Sequence, residues 1–313
     1  MGSKEKNFVS AVVYVHNAEN RIESFLKTII DIMQHNFDHS EIICVNDCSD
    51  DNSIGKVKEV SSKIASATSI SVINMSYFHG LELAMNAGVD LAIGDFVFEF
   101  DNTILDFEES DVMKIYHRAL DGYDIVNAAP CKKEKFTSGF FYKTFMYYTN
   151  QSNPMSTESF RILSRRVINR ISSMNKTVPY RKAVYVNCGL KTDLIKYDVK
   201  MIEHIKYDKY EKNYRTGLAI DALILFTDFG YKLSMTMTVL MMLVAAFMLV
   251  YSIVVNIMLH PVAGWTTTIL FLSVAFFGLF GVLTIVIKYL QILVDLVFKR
   301  KHYSFESVEK LTE

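Results

Sequence analysis

The chain has 313 residues, 33 Lys and Arg against 34 Asp and Glu, and a formal net charge of −1. A balance this close to neutral offers no broad basic surface, which excludes nucleic acid as the expected partner. Half of the residues are hydrophobic, and they are unevenly spread, so a mixed-polarity part and a strongly apolar part are read separately.

The opening MGSKEKN leads into a strand and not into the apolar core of a secretory signal. FVSAVVYV, from Phe8, is a buried-strand run. Ile22, Phe25, Leu26, Ile29, Ile30 and Met33 then recur at helical spacing and predict a helix with one hidden stripe. EIICVND is a second strand, and Ile54, Val57 and Val60 mark a short helix. SISVINM is a third strand, Leu81, Ala84, Met85 and Gly88 a further helix, and DFVFEFD a fourth strand. Strands alternating with helices predict one α/β domain whose mostly parallel sheet is covered on both faces. Such sheets take ligands where strand C-termini meet loops. Polar residues gather at those points: His16 and Asn17, then Asn46 and Asp47, then Asp101 and Asn102. Cys44, Cys48, Cys131 and Cys188 match no metal or CxxC spacing and read as reduced thiols.

Between Lys232 and Lys288 lie 55 residues without Asp, Glu, Lys or Arg, interrupted near the middle by His260, Pro261, Gly264 and Trp265. A bilayer core about 30 Å thick takes roughly 20 apolar helical residues, so two spans are expected, near Met235 to Leu259 and Trp265 to Ile287. A buried soluble hairpin is the alternative, but soluble helices of this length need a polar face. Lys206, Lys209, Lys212, Arg215 and Lys232 precede the first span, and Lys299, Arg300 and Lys301 follow the second. The positive-inside rule then sets both termini and the α/β domain in the cytoplasm of a cell (inner) membrane. Tyr210 to Lys232, with Leu218, Ala219, Ala222, Leu223, Leu225 and Phe226, reads as an amphipathic interfacial helix. The expected organisation is an α/β domain over 1–205, an interfacial helix region over 206–232, a two-span hairpin over 233–289 and a cytoplasmic tail over 290–313. Leu290 to Phe298 would form a return helix.

VYVHNAEN, EIICVNDCSDDNS and GDFVFEFDN, in that order, resemble the nucleotide-sugar half of family-two inverting glycosyltransferases with the GT-A fold. PMSTESFRILSRR and DKYEKNYRTGLAIDALILFT resemble later segments of its polyprenyl-phosphate branch, which includes dolichol-phosphate mannose synthases and bacterial undecaprenyl-phosphate glucosyltransferases. The QxxRW motif of processive synthases is missing, since the single tryptophan is Trp265. The resemblance implies a membrane-anchored transferase that moves one sugar from a nucleotide-sugar to a polyprenyl phosphate. It implies donor contacts by Asn17, Asn46, Asp47, Asp101 and Asn102, a catalytic set of Asp101, Glu158 and Arg161, and an acceptor-phosphate grip by Arg161 and Arg165. Mg²⁺ or Mn²⁺ would be held by Asp101, Thr103 and Asp106.

Three positions depart from the family's pattern, which has Asp where this chain has Asn46, Thr103 and Ser159. Threonine offers a cation only a neutral hydroxyl, so metal binding is expected to be weak or absent. Basic side chains, Arg161 or the run Lys132, Lys133 and Lys135, would then meet the diphosphate. A polyprenyl phosphate is largely dianionic at neutral pH and needs little general-base help, which softens the loss at Ser159. Two readings stay open: an active transferase, as a homo-oligomer or beside a related transferase subunit, and a catalytically weak relative acting as a binding or regulatory partner. A two-span structural adaptor is a third, which leaves the ordered motifs unexplained.

Overall fold

The computed structural model describes residues 4–63, 68–131, 158–173, 181–199, 264–298 and 303–312, with Gly217 and scattered residues from 232 to 247. The expected interfacial helix, the lysine run at 132–135 and most of the first expected span lie outside the described residues. In chain order the elements are β1 (Val9–Val15), α1 (Ile22–Asn36), β2 (Ser40–Asn46), α2 (Ser53–Ser62), β3 (Thr68–Met75), α3 (Leu81–Leu91), β4 (Phe96–Phe100), α4 (Glu109–Leu120) and β5 (Ile125–Pro130). There follow β6 (Phe160–Ser164), α5 (Arg165–Ser173), α6 (Arg181–Asn187), β7 (Thr192–Tyr197), α7 (Gly264–Phe298) and β8 (Phe305–Lys310).

The eight strands form one sheet in the order β7-β5-β6-β4-β1-β2-β3-β8. β1, β2, β3 and β4 run parallel, β6 runs against β4 and β5, and β8 runs against β3. β1 is apolar and buried along almost its whole length because helices cover both faces, whereas β3 (TSISVINM) alternates buried and half-buried positions over much of its length. One face buries Phe98, Phe100, Phe160 and Ile162 under α1, α2 and α4 residues such as Phe25, Val57 and Tyr116. The other buries Val12, Val45, Val97 and Leu163 with Ala84 and Met85 of α3, Val167 of α5 and Tyr185 of α6. Phe25, Phe100, Phe107 and Phe160 stack and tilt with centroids 4.6–6.3 Å apart, each such pair adding about 0.5–1.5 kcal/mol to the area it buries. The glycine before β4 is a close-approach position: a Cβ on Gly94 would strike Ser10 and the Phe8 carbonyl, while its N–H donates to Ser10 Oγ at 2.9 Å.

Residues 1–219 and 300–313 form one compact unit and 220–299 another. The sequence reading gave 290–313 the part of a tail. In the structure α7 continues to Phe298, and β8 completes the sheet of the first unit at the edge of β3. Within the second unit, the side chain of Met241 occupies the space a Cβ would need at Gly278, and Met237 lies against Gly281. The backbone of α7 is 35 residues long. Among the described residues, no helix is long and apolar enough to cross a membrane.

Candidate functional site

Because β1, β2 and β4 are parallel, their C-terminal ends share one edge of the sheet, which brings His16, Asn17, Asn46, Asp47, Asp101 and Asn102 together there. Asn17 and Cys48 hold left-handed backbone, φ 46° and 54°, a conformation non-glycine residues adopt at a cost and mostly where a site demands it. The two loops they belong to are tied together: Asn17 N donates to Ser49 Oγ at 3.2 Å, and Asp50 N donates to Asn17 Oδ1 at 2.9 Å.

Asp47 does not present a carboxylate to a ligand. It is 0% exposed, and its oxygens accept from His79 N (2.8 Å), Gly80 N (2.8 Å) and the Tyr14 hydroxyl (2.9 Å). Burial pushes its carboxyl above the ordinary range despite these three donors. Its present task is to fold the 77–80 loop, where Gly80 at φ 81° allows the turn. We predict that Asp47→Ala, by orphaning three buried donors, lowers stability by about 1–3 kcal/mol. Chemical denaturation checks this, and an unchanged midpoint would remove the anchoring role.

Asp101 sits in a buried ion cluster that register explains. In the antiparallel β4–β6 pair, Glu99 faces Arg161, and residues two apart point the same way, so Glu99 and Asp101 both look at that arginine. Arg161 donates to Glu99 Oε2 at 2.7 Å and Asp101 Oδ2 at 2.6 Å, with Glu158 at 3.4 Å. Arg181, at the start of α6, donates to the other oxygens: Glu99 Oε1 at 2.7 Å, Asp101 Oδ1 at 2.8 Å and Glu82 Oε2 at 3.0 Å. The Tyr185 hydroxyl donates to Glu99 Oε1 at 2.8 Å, and its ring lies 5.5 Å from the Arg161 guanidinium carbon. Both arginines are almost wholly buried. Burial alone would raise the Asp101 carboxyl; the two guanidinium groups outweigh it and hold it well below the usual carboxylate range. Burial would likewise lower Arg161, and Asp101 and Glu99 instead raise it. Arg181 carries no motif that the sequence could have flagged; its only signal was an arginine ahead of a short apolar helix.

The expected metal ligands are not brought together as a cation site. Both oxygens of Asp101 already take guanidinium hydrogens, Thr103 is neutral and buried, and Asp106 accepts from the Tyr197 hydroxyl at 2.9 Å. Among the described residues, no group of three or more His, Cys, Asp or Glu is arranged to hold a metal. Residues arranged this way do not fit a divalent ion, because it would sit beside two fixed guanidinium charges with only a neutral hydroxyl at 103. Asn102 turns inward on its own loop, its Oδ1 accepting from Ile104 N at 2.9 Å. Glu158 is at the cluster, 3.7 Å from Lys182 Nζ as well.

Arg165, expected to grip the acceptor phosphate, lies at the opposite edge of the sheet. It follows the far end of β6, and its guanidinium donates to the carbonyls of Ala92 and Gly94. Four residue steps at about 3.3 Å each, roughly 13 Å, separate it from Arg161. Arg166 is exposed and 3.8 Å from Asp124.

With this geometry in hand, residues 10–172 match the family described as Glycosyl transferase family 2. The chain belongs to that family. It is 28% identical over 196 residues to an uncharacterized glycosyltransferase of Synechocystis sp., covering 61% of this chain and 60% of that protein. It is 25% identical over 285 residues to the bactoprenol glucosyl transferase of Shigella phage SfV, covering 86% and 88%. Over half of this chain, it is 24% identical to an undecaprenyl-phosphate 4-deoxy-4-formamido-L-arabinose transferase of Aeromonas hydrophila, across 46% of that protein. Among solved structures, a mannosyltransferase of Pyrobaculum calidifontis in complex with GDP-Man and Mn²⁺ aligns with TM-score 0.52 at 14% identity, over 71% of this chain and 63% of that one. Glucosyl-3-phosphoglycerate synthase of Mycobacterium tuberculosis aligns at 0.50 and 13% identity, over 71% and 80%. These two likenesses establish the GT-A-like α/β fold.

Proposed function

We propose that this glycosyltransferase moves a single sugar from a nucleotide-sugar to a polyprenyl phosphate at the cytoplasmic leaflet of a cell membrane. The observation that carries the reading is the similarity to bactoprenol glucosyl transferases, which runs through 86% of the chain. The loops after β1, β2 and β4 form the donor edge, with Asn17 as its exposed side chain and Asn46, Asp47, Asn102 and the Asp101 cluster fixing the shape of those loops. Arg161 acts as a positioning residue for Asp101 and Glu158. The acceptor is already anionic, so the chain's own groups have only to align it and exclude water.

Membrane anchoring by a two-span hairpin is supported by three features. The 55-residue run is free of charge. Residues 300–313 rejoin the unit that holds residues 1–219, so a segment that leaves this unit and crosses a membrane must cross an even number of times. The order Met237 beside Gly281 and Met241 beside Gly278 suits an antiparallel pair. Anchoring would keep the site beside an acceptor confined to two dimensions. A homo-oligomer or a related transferase subunit as partner belongs to the same proposal.

A cysteine replacing Ala263, in a chain whose exposed Cys48 and Cys131 have been changed to serine, should react with an impermeant thiol reagent on intact cells. One replacing Lys301 should react only after lysis. The reverse pattern would overturn the cytoplasmic assignment.

One observation favours the second reading, a catalytically weak partner subunit: the carboxylates and arginines of the cluster are spent on one another. Incubation of the full-length protein in detergent with a panel of nucleotide-sugars and undecaprenyl phosphate decides between them. Transfer predicts release of free nucleotide and a new glycolipid. Nucleotide-sugar binding without either product would leave the partner-subunit reading standing.

A further inference from the structure

The departure at Asn46 has a structural counterpart in the C-terminal strand. β8 pairs with β3 so that Asn74 faces Ser307, and Asn74 Nδ2 donates to Ser307 Oγ at 3.0 Å and to Glu309 Oε1 at 3.1 Å. A carboxylate only accepts, so Glu309 fixes which end of the Asn74 amide faces β8. The Asn74 carbonyl therefore points toward β2, where Asn46 Nδ2 donates to it at 3.0 Å. Residue 46 has to be a donor at that place, and aspartate is not one. Asn46 Oδ1 in turn accepts from Ser49 N at 3.1 Å, and Ser49 Oγ accepts from Asn17 N. The relay thus runs from β8 across two strands into both loops of the donor edge.

A second route starts at Ser304, the residue before β8. His79 Nδ1 lies 2.5 Å from the Tyr77 carbonyl, so it carries the hydrogen, and Nε2 accepts from Ser304 N at 3.1 Å. The His79 backbone N–H donates to Asp47, and Ser76 N donates to the Ser304 carbonyl at 3.1 Å. Both residues of the Asn46–Asp47 pair are therefore held by contacts that end on the strand following α7 in the chain.

We propose that β8 and the residue before it are a positioning element of the donor pocket, with Asn74 and His79 as positioning residues. In this account Asn46 is the adaptation that lets the pocket sense whether the strand is docked. The inference rests on the transferase reading for what the pocket binds, and on the two hydrogen-bond routes for the coupling itself.

The test uses the full-length protein in detergent, with hydrogen exchange of residues 305–310 measured without donor and UDP-glucose and GDP-mannose binding measured separately. Asn46→Asp sets a carboxylate against the Asn74 carbonyl. It should speed exchange in β8 and weaken binding of whichever nucleotide-sugar the wild type binds by roughly tenfold, the loss typical of a mispaired charged hydrogen bond. Glu309→Gln alone should be mild. Added to Asn46→Asp, it supplies a donor to a turned-over Asn74 amide, which can then serve Asp at 46, and both readouts should recover. A merely local role for residue 46 would give no rescue from position 309. Unchanged β8 exchange in Asn46→Asp, or no recovery in the double variant, would overturn the proposal. If wild type binds neither nucleotide-sugar, the transferase reading is what suffers, and the exchange rescue alone decides the coupling.

Discussion

Replacing Arg181 by methionine should cost about 3–5 kcal/mol of folding stability, the range for removing one partner from a buried ion network. The change strips Glu82, Glu99 and Asp101 of contacts at 2.7–3.0 Å, at a place with almost no solvent to replace them. Methionine fills much of the volume, so the loss reads out unpaired charge and not a cavity. Arg166→Met is the control: that side chain is 72% exposed and 3.8 Å from its acid, and its loss should stay within about 0.5 kcal/mol. Denaturant unfolding followed by circular dichroism checks both. Equal stability of Arg181→Met and wild type would show that the cluster does not hold the site together. The pH dependence has a definite sign. Asp101 has a folded-state pKa below its ordinary value, so its contribution is fully present above the usual carboxylate pKa of about 3.9. That contribution is lost as pH falls through the lower, folded value. Acid should therefore loosen the wild type in a step that Asp101→Asn lacks.

The parallel half of the sheet was legible because its strands centre on apolar stretches such as AVVYV, IICV and FVF and each crossover carries its own helical stripe. β8 was not. FESVEK is half charged and exposed along much of its length, and only its pairing with β3, more than 230 residues earlier, makes it a strand. The same limit applied at the site. Glu99 and Asp101 could be placed on one face from their spacing, whereas their partner Arg181 follows from the packing of α6. Arg165 stands away from Arg161 because FRILS is a strand: each residue along it carries the chain about 3.3 Å further from the site. The sequence marks Asp47 as a ligand because a carboxylate after a strand suits a hydroxyl or base N–H. Its burial comes from Tyr14 of the neighbouring strand β1 and from the 77–80 loop, whose His79 and Gly80 N–H groups reach it in a conformation no local pattern encodes. The departures at positions 46 and 103 were visible, but their meanings differ: Asn46 is matched to Asn74, whereas Thr103 answers to what Asp101 has left to offer.

Chelation should change wild-type nucleotide-sugar binding by less than about twofold, and Thr103→Asp should make that binding respond to Mn²⁺. The first part follows from Asp101, whose two oxygens already accept from Arg161 and Arg181 at 2.6 and 2.8 Å. An incoming ion would meet two fixed positive charges and the neutral Thr103 hydroxyl, with Asp106 held by Tyr197. A carboxylate at 103 changes that balance. It brings a charged ligand without an arginine of its own, and a charge-assisted contact of about 1.5–3 kcal/mol amounts to tenfold or more in affinity. Mn²⁺ titration followed by the ion's paramagnetic resonance measures the metal directly, whether or not the protein turns over. Donor binding with and without chelator measures its consequence. Tight Mn²⁺ binding by the wild type would mean that the arginines release Asp101 when the donor arrives, and the ion-paired cluster would then be the resting form of a metal site. Thr103→Asp without any gain in Mn²⁺ affinity would instead mean that position 103 does not face the diphosphate.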